Sequence, residues 1–138
     1  FRKQLRNASC WVLEQQGMLI GFGIFSMVKH WAHIMNMGIA PGFRRQGLGR
    51  RMMLHMLSMA SKKHARYSWL EVRLTNIPAI RLYHQLGFRK KQLRRKYYSL
   101  PGGPMDAIVM VKRLSPAQRR YAKAGNLRST NTRPSRMR

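Results

Sequence analysis

The sequence predicts an α/β fold in which a mixed sheet is flanked by helices, and three observations support it. Apolar runs separated by turn residues begin the chain, which indicates a β-hairpin and a further strand. A glycine-containing loop then leads into a helix with amphipathic spacing. A strand of alternating polarity and a second helix follow before the last strand. The chain has 138 residues, which suits one domain.

The first three strands are predicted at residues 11–14, 18–28 and about 32–39. Gln15, Gln16 and Gly17 separate the first two, so these strands form a hairpin. Pro41 and Gly42 end the third. Two histidines, His30 and His33, lie near its start, but a pair without further ligands does not predict a zinc site, and we expect no metal.

The first helix follows the glycine loop, and its apolar side is formed by Met52, Met53, Met56, Leu57 and Ala60. Residues 67–74 are predicted to form a strand, in which Leu70, Val72 and Leu74 alternate with Trp69, Glu71 and Arg73. A strand, a helix and a second strand in this order form a βαβ unit, so residues 32–39 and 67–74 should be parallel.

The second helix begins at Asn76, a plausible N-cap, with Pro78 in its first turn. Its predicted core side chains are Ile80, Leu82 or Tyr83, and Leu86. Gly87 ends the helix as its C′ residue, and the last strand is predicted at residues 107–111.

Charge is the most unusual feature of the composition. The sequence contains 28 Lys and Arg residues and three Asp and Glu residues, which gives a formal net charge of +25. Such a charge destabilises a compact protein through self-repulsion, so a polyanionic partner is expected, with RNA the first candidate. No apolar run reaches the roughly 20 residues of a membrane-spanning helix, so no membrane partner is expected. The single cysteine, Cys10, excludes an internal disulfide.

The glycine loop has a possible chemical role. It follows a strand and precedes a helix, where backbone N–H groups can bind a phosphate because glycine has no Cβ. Arg44, Arg45 and Arg50 would add positive charge beside Gly47 and Gly49. A Gly-x-Gly pattern alone also fits an ordinary turn with solvated arginines.

Further motifs make the pattern specific. The Arg-x-x-Gly-x-Gly loop is followed at regular spacing by residues 69–76, 79–83, 86–88, 94–98 and 106–110. Together they resemble the GNAT acetyltransferase superfamily, and the last two segments resemble its ribosomal-protein-alanine N-acetyltransferase subgroup. The resemblance covers about residues 11–114 and implies the GNAT acyl-CoA N-acyltransferase fold, with acetyl-CoA as cofactor and a ribosomal protein as acceptor.

The resemblance also implies the roles of particular residues. Glu71 would be the general base that deprotonates the acceptor amine, and Tyr83 the general acid that protonates the leaving thiolate. Burial of Glu71 within its strand would make it a better base, although an ion pair with an arginine would also explain it. Tyr83 could equally be a core aromatic, and Asn76 only a helix cap. The implied cofactor-binding residues are Met37, Gly38, Ile39, Arg44, Arg45, Gln46, Gly47, Leu48, Gly49, Arg50 and Asn76.

Two features differ from the family pattern. About ten residues precede the first strand, where the family has a strand and two helices that help form the acceptor groove, so we expect this part to be shortened or absent. The surface is also basic. We therefore divide the chain into a GNAT-like domain over residues 1–114 and a basic RNA-binding tail over residues 115–138, and we expect the tail to be disordered until it is bound. The predicted RNA-binding residues are Arg89, Lys90, Lys91, Arg94, Arg95, Lys96, Arg119, Arg120, Lys123, Arg128, Arg133, Arg136 and Arg138.

Two functional hypotheses follow. The first is an acetyl-CoA-dependent N-acetyltransferase that acts on a protein N-terminus and associates with RNA, with ribosomal proteins as substrates or neighbours. The alternative is a GNAT-fold structural component of an organellar ribosome that binds rRNA with little catalysis. The expected location is a mitochondrial or other organellar matrix, in association with ribosomes, or otherwise the cytoplasm.

Overall fold

A computed structural model describes residues 8–100, 103–117 and 127–129, with side chains for residues 8–93 and 106–117. Its seven strands are β1 Ala8–Gln15, β2 Met18–Val28, β3 Trp31–Ile39, β4 Tyr67–Arg73, β5 Arg89–Leu100, β6 Gly103–Arg113 and β7 Leu127–Ser129. The helices are α1 Leu48–Lys62 and α2 Ile77–Gln85, and Pro41–Phe43 form one 3₁₀ turn. The strands make one sheet in the order β5-β6-β4-β3-β2-β1-β7.

The predicted hairpin is confirmed. Strands β1 and β2 pair antiparallel, with Gln15 opposite Met18. The two turn residues have positive φ, 52° at Gln16 and 79° at Gly17. Positive φ at both central positions is what a two-residue type I′ turn requires, and this turn has the twist of the strands that it joins.

Helix α1 packs on one face of the sheet. Met52, Met53, Met56 and Leu57 are fully buried there. The helix lies so close to β2 that a Cβ on Gly23 would stand 2.7 Å from the Met56 sulfur. Gly23 therefore permits the close contact between helix and sheet, and the apolar side predicted for this helix is its core side.

The predicted βαβ unit is also confirmed, because β3 and β4 pair in parallel across α1. Ser68, Leu70 and Val72 of β4 are buried toward the helix, whereas Tyr67, Trp69 and Glu71 belong to the opposite face. The strand predicted over residues 67–74 is confirmed but is one residue shorter. Strand β4 ends at Arg73, and Leu74 is 41% exposed.

Two strands were not predicted. Strand β5 pairs antiparallel with β6 at one edge of the sheet. Strand β7 pairs with β1 at the other edge and places Arg128 opposite Val12. For residues 127–129 the prediction of a disordered tail is therefore wrong, because the open edge of β1 provides backbone partners. In the described part of the chain, no helix is long and apolar enough to cross a membrane.

Candidate active site

A wedge between two neighbouring parallel strands forms the centre of the candidate site. The ladder between β3 and β4 runs from Trp31 and Tyr67 to Ile34 and Leu70 and goes no further. Beyond that point β3 continues to Ile39, paired with β2, and β4 continues to Arg73, paired with β6. Each strand thus keeps its outer neighbour while the common edge opens. The opening leaves room for a ligand beside the backbone of both strands.

Glu71 is the first residue of β4 beyond the last rung of this ladder, so it lies where the wedge begins. Its side chain is only 8% exposed. Oε1 lies 3.7 Å from Nε2 of His33, a β3 residue whose side chain is 25% exposed. A nearly buried carboxylate at the apex of an opening is well placed to accept a proton from a bound substrate.

The histidine beside Glu71 belongs to a row of stacked rings across β3 and β4. His33 lies parallel to Trp69, with ring centroids 3.8 Å apart and planes 4° from parallel. Trp31 and Tyr67 form the next pair along the strands, at 4.8 Å and 23°. Both pairs are register partners in the parallel ladder, so the backbone itself sets their spacing.

The N-terminus of α1 is open. Its N-cap is Gly47, at φ 77°, and this residue provides no side-chain cap. A Cβ on Gly47 would have no heavy atom within 4 Å, so it would project into space that a bound group can occupy. The first N–H groups of a helix have no partner within the helix and point outward. This end of α1 is therefore a site for an anion.

The charges around this helix end also favour an anion. Four arginines, Arg44, Arg45, Arg50 and Arg51, lie within four residues of the N-cap Gly47, and the first turn contains no acidic residue. Such an arrangement is repulsive unless negative charge is bound there. The Arg44 Nε donates to the carbonyl oxygen of Ile39 at 3.0 Å, which ties the loop to the end of β3. The site therefore fits a pyrophosphate group.

Three parts of the site meet at Gly49. A Cβ on this residue would stand 3.6 Å from Met37 Cε of β3 and 3.6 Å from Leu82 Cδ2 of α2. Tyr83 follows Leu82 and is half-buried, with its ring edge on Phe88 at 6.0 Å between centroids. The structure thus brings together the glycine loop, the end of β3 and the helix that carries the predicted acid.

Several of the predicted cofactor-binding residues have structural roles. Asn76 caps α2, since its Oδ1 accepts a hydrogen bond from the Ala79 N–H at 3.3 Å. Leu48 is 7% exposed and packs in the core, so only its backbone N–H can serve the anion site. The Met37 N–H donates to Asn36 Oδ1 at 2.9 Å, which engages one backbone donor at the wedge. Gln46 is exposed in the loop, and Gly38 and Ile39 are half-buried at the end of β3.

The acetyltransferase (GNAT) family model matches residues 2–88 of the chain. The [ribosomal protein bS18]-alanine N-acetyltransferase of Escherichia coli K12 is 39% identical over 103 residues, which cover 75% of this chain and 70% of that protein. The chain belongs to the GNAT acetyltransferase family.

Solved structures agree with this assignment. This GNAT protein superimposes on the crystal structure of the ribosomal-protein-S18-alanine N-acetyltransferase from Escherichia coli with a TM-score of 0.74 and 37% identity, over 79% of this chain and 70% of that one. A GNAT family acetyltransferase from Elizabethkingia anophelis, crystallised with acetyl-CoA bound, gives a TM-score of 0.73 at 18% identity, over 82% and 80% of the two chains. The second likeness shows the fold.

The predicted RNA-binding residues of this GNAT protein are only partly described. Arg89 is occupied at the end of α2, where Nη1 donates to the carbonyls of Phe88 at 2.9 Å and His84 at 3.3 Å. Lys90 and Lys91 are exposed on β5 and line a cavity of about 360 Å³. The side chains of Arg94, Arg95, Lys96 and Arg128 lie outside the described residues, as do Arg119, Arg120, Lys123, Arg133, Arg136 and Arg138 entirely.

Sequence inspection missed His33 and its stacking partner Trp69 as site residues. Both are register partners across a parallel ladder, and register is a property of the folded sheet. The signal in the sequence was a spacing of two residues, between Trp31 and His33 and again between Trp69 and Glu71. In a strand, residues two apart lie on the same face. That spacing could have predicted an aromatic face beside Glu71, but not which ring meets which.

Proposed function

We propose that this GNAT protein transfers an acetyl group from acetyl-CoA to the N-terminal amine of a ribosomal protein. The observation that carries the proposal is the wedge between β3 and β4, with Glu71 at its apex and the anion site of α1 at its mouth. The acceptor class is supported by the 39% identity with an enzyme named for the alanine of ribosomal protein bS18.

Each part of the site has a separate role in this reaction. The N–H groups that follow Gly47, with the nearby arginines, would hold the pyrophosphate of the cofactor. The backbone at Gly38 and Ile39 would bind another part of the cofactor at the end of β3. Acetyl-CoA, when bound, supplies the acetyl group as a thioester. A carboxylate oxygen of Glu71 takes the proton from the acceptor amine, and Tyr83 Oη donates a proton to the leaving thiolate.

The test combines binding with transfer. Calorimetry should detect acetyl-CoA binding, and mass spectrometry should detect acetyl transfer to a peptide with the N-terminal sequence of the ribosomal protein bS18. Glu71→Gln should lower kcat by about 100-fold or more and leave acetyl-CoA affinity unchanged. Glu14→Gln, a change of the other glutamate, at the hairpin end of β1, is the matched control. Transfer at wild-type rate by Glu71→Gln would overturn the role of Glu71.

We also propose that the protein binds RNA, because its net charge of +25 needs neutralising and Lys90 and Lys91 lie exposed on an edge strand. Lysines also protect edge strands from pairing with other chains, which would explain them without RNA. Binding to an rRNA fragment should weaken steeply with salt, by about −0.7 in log–log slope for each single-strand phosphate contact. Glutamines at Lys90 and Lys91 should reduce the slope more than glutamines at Lys29 and Lys62. A flat salt response would exclude RNA binding.

The alternative of a non-catalytic ribosome component is not favoured, because the glycine loop, Glu71 and Tyr83 are all retained within one site. We propose an organellar matrix as the compartment, in contact with ribosomes, on the strength of the basic composition alone. Fractionation of cells that express the tagged full-length protein tests this location, and recovery with cytoplasmic ribosomes would contradict it.

A further inference from the structure

His33 lies beside Glu71 and is the more exposed of the two side chains. We propose that it relays the proton that Glu71 removes from the acceptor amine out to water, and that it holds the Glu71 carboxylate for this task. The inference rests on the proposed function, because it assigns a step of acetyl transfer to a residue outside the motif. His33 is thus a positioning and relay residue and need not touch the substrate.

Burial is the first reason that a relay is needed. The Glu71 side chain is 8% exposed, so a proton on its carboxyl group has little direct access to water. The His33 side chain is 25% exposed, and its Nε2 lies 3.7 Å from Glu71 Oε1. That distance exceeds the roughly 2.6–3.2 Å of a catalytic hydrogen bond. A small rotation of the carboxylate, or one intervening water, closes the gap.

The orientation of the imidazole is the second reason. Its plane lies 4° from that of Trp69 at a centroid distance of 3.8 Å, so a rotation of the ring would break the stack. Toward the N-terminal ends of β3 and β4, the stacked rings of Trp31 and Tyr67 lie next to this pair. The row leaves Nε2 directed at Glu71. Packing thus sets a geometry that a flexible surface histidine would not keep.

The groups around His33 make Glu71 its electrostatic partner. Glu71 and Trp69 face it from β4, and Ser26 is its register partner on β2. The register partners of Trp69 and Glu71 on β6 are the uncharged Val111 and Val109. Two exposed arginines also belong to this face: Arg73, two residues beyond Glu71 on β4, and Arg113, the register partner of Tyr67 on β6. A positive charge that forms transiently on His33 is therefore stabilised by the carboxylate that donates the proton.

The proton balance is simple. A carboxylate oxygen of Glu71 accepts one proton from the acceptor amine, whose lone pair forms the new N–C bond. The neutral imidazole accepts this proton at Nε2, which restores the Glu71 carboxylate. The imidazolium then releases its Nδ1 proton to water, and proton exchange with solvent returns the ring to the tautomer whose Nε2 is free to accept again. Each turnover therefore moves one proton from the amine to solvent and restores the Glu71 carboxylate and the neutral imidazole.

The experiment compares kcat and KM over a range of pH for the wild type, His33→Gln and His33→Ala, with the acetyl-CoA and bS18 peptide assay described above. In His33→Gln, kcat should fall about 10- to 100-fold, KM for acetyl-CoA should stay unchanged, and one ionisation should disappear from the kcat profile. In His33→Ala, added imidazole should restore part of the lost rate, because a small base can enter the vacated space. His30→Gln, an exposed histidine three residues earlier, is the matched control and should behave as wild type.

The outcomes separate the two proposals. If the wild type binds acetyl-CoA and transfers acetyl, but His33→Gln keeps the wild-type pH profile and imidazole restores nothing, the relay is wrong and the proposed function stands. A loss of rate in both His33 variants with an unchanged pH profile and no rescue would reduce His33 to a packing role and also overturn the relay. If the wild type transfers no acetyl group to any N-terminal alanine peptide, the proposed function fails, and the relay fails with it.

Discussion

The two helices of this GNAT protein end alike and begin differently. Each ends in a Schellman motif: in α1 the Ala65 N–H donates to Ala60 O at 3.0 Å, and in α2 the Phe88 N–H donates to Tyr83 O at 2.9 Å. At its start, α1 has Gly47 without a side-chain cap, whereas α2 has the Asn76 cap. Both starts follow a strand of the wedge.

The difference indicates which helix start is reserved for a ligand. A protein normally satisfies the first N–H groups of a helix with its own side chains, as Asn76 does. At α1 it instead leaves these groups open and places arginines near them in the sequence, which lowers stability unless an anion binds. The lack of a cap at Gly47 therefore identifies the phosphate site more directly than the presence of two glycines does.

Giving α1 a cap of its own should produce the largest effect. Gly47→Asp places a carboxylate at the N-cap, where it accepts from the helix N–H groups and repels a phosphate. We expect acetyl-CoA affinity to fall about 10- to 100-fold, the equivalent of one lost charge-assisted interaction, measured by calorimetry. Gly17→Asp is the matched control, since Gly17 has nearly the same φ, 79°, and equally open surroundings in the hairpin turn. Equal losses in both variants would contradict an anion site at Gly47.

The Schellman motif at the end of α2 predicts the second-largest effect, a loss of stability when Gly87 is replaced. Gly87 has φ 101°, where an L-residue is strained, and a Cβ there would stand 2.7 Å from Lys112 Nζ. Because the lysine end is flexible, the backbone strain decides the cost, and Gly87→Ala should destabilise the protein by about 1–2 kcal/mol in urea unfolding. Gly42→Ala, at a position without positive φ or close neighbours, should be neutral within about 0.5 kcal/mol. Equal stabilities of the two variants would contradict this account.

The cap of α2 predicts a smaller change, and one that separates the two roles proposed for Asn76. Asn76→Ala removes the acceptor for the Ala79 N–H and should cost about 1 kcal/mol of unfolding free energy. Asn76→Asp keeps an acceptor oxygen and should retain that stability. Calorimetry on both variants then tests the cofactor role. If Asn76 serves only as a cap, acetyl-CoA affinity will be unchanged in the alanine variant, and the implied contact with the cofactor is wrong.

How much the sequence predicted depended on whether the signal was local. The hairpin turn at Gln16 and Gly17, the apolar side of α1 and the Asn76 cap are each encoded within a few residues, and the structure confirms them. Strand β5 had no such signal. It begins Arg-Lys-Lys-Gln-Leu, with residues that are depleted in strands, and it is a strand because β6 provides the backbone partners.

The candidate site shows the same limit. Glu71, Tyr83 and the glycine loop were proposed through motifs, which carry information about the fold that single residues lack. The wedge and the position of His33 depend on where the ladder between β3 and β4 stops, at Ile34 and Leu70. Strand register is set by packing across the whole sheet, so neither feature could be derived from the spacing of residues in the chain.

The smallest predicted effect concerns Lys112, which lies over Gly87 at the end of α2. Burial lowers the pKa of this lysine from 10.5, and the nearby Arg89 lowers it further. Below the folded-state pKa, Lys112 is charged in both the folded and unfolded chains, and the folded chain is the less favourable environment for that charge. This destabilisation is therefore fully present at neutral pH. It is relieved as pH rises from the folded-state pKa toward 10.5.

Lys112→Met should consequently raise the Tm at pH 7, by about 1–2 °C, because the group is partly exposed and solvent screens most of the effect. The gain should shrink as pH approaches 10.5. Lys90→Met removes an exposed lysine from the neighbouring strand and should give no such gain. If calorimetric scans show the Lys112→Met advantage growing with pH, the charge on Lys112 stabilises the end of α2 through the helix dipole. The two helix ends would then differ in electrostatics as well as in their C′ residues, which are His64 in α1 and Gly87 in α2.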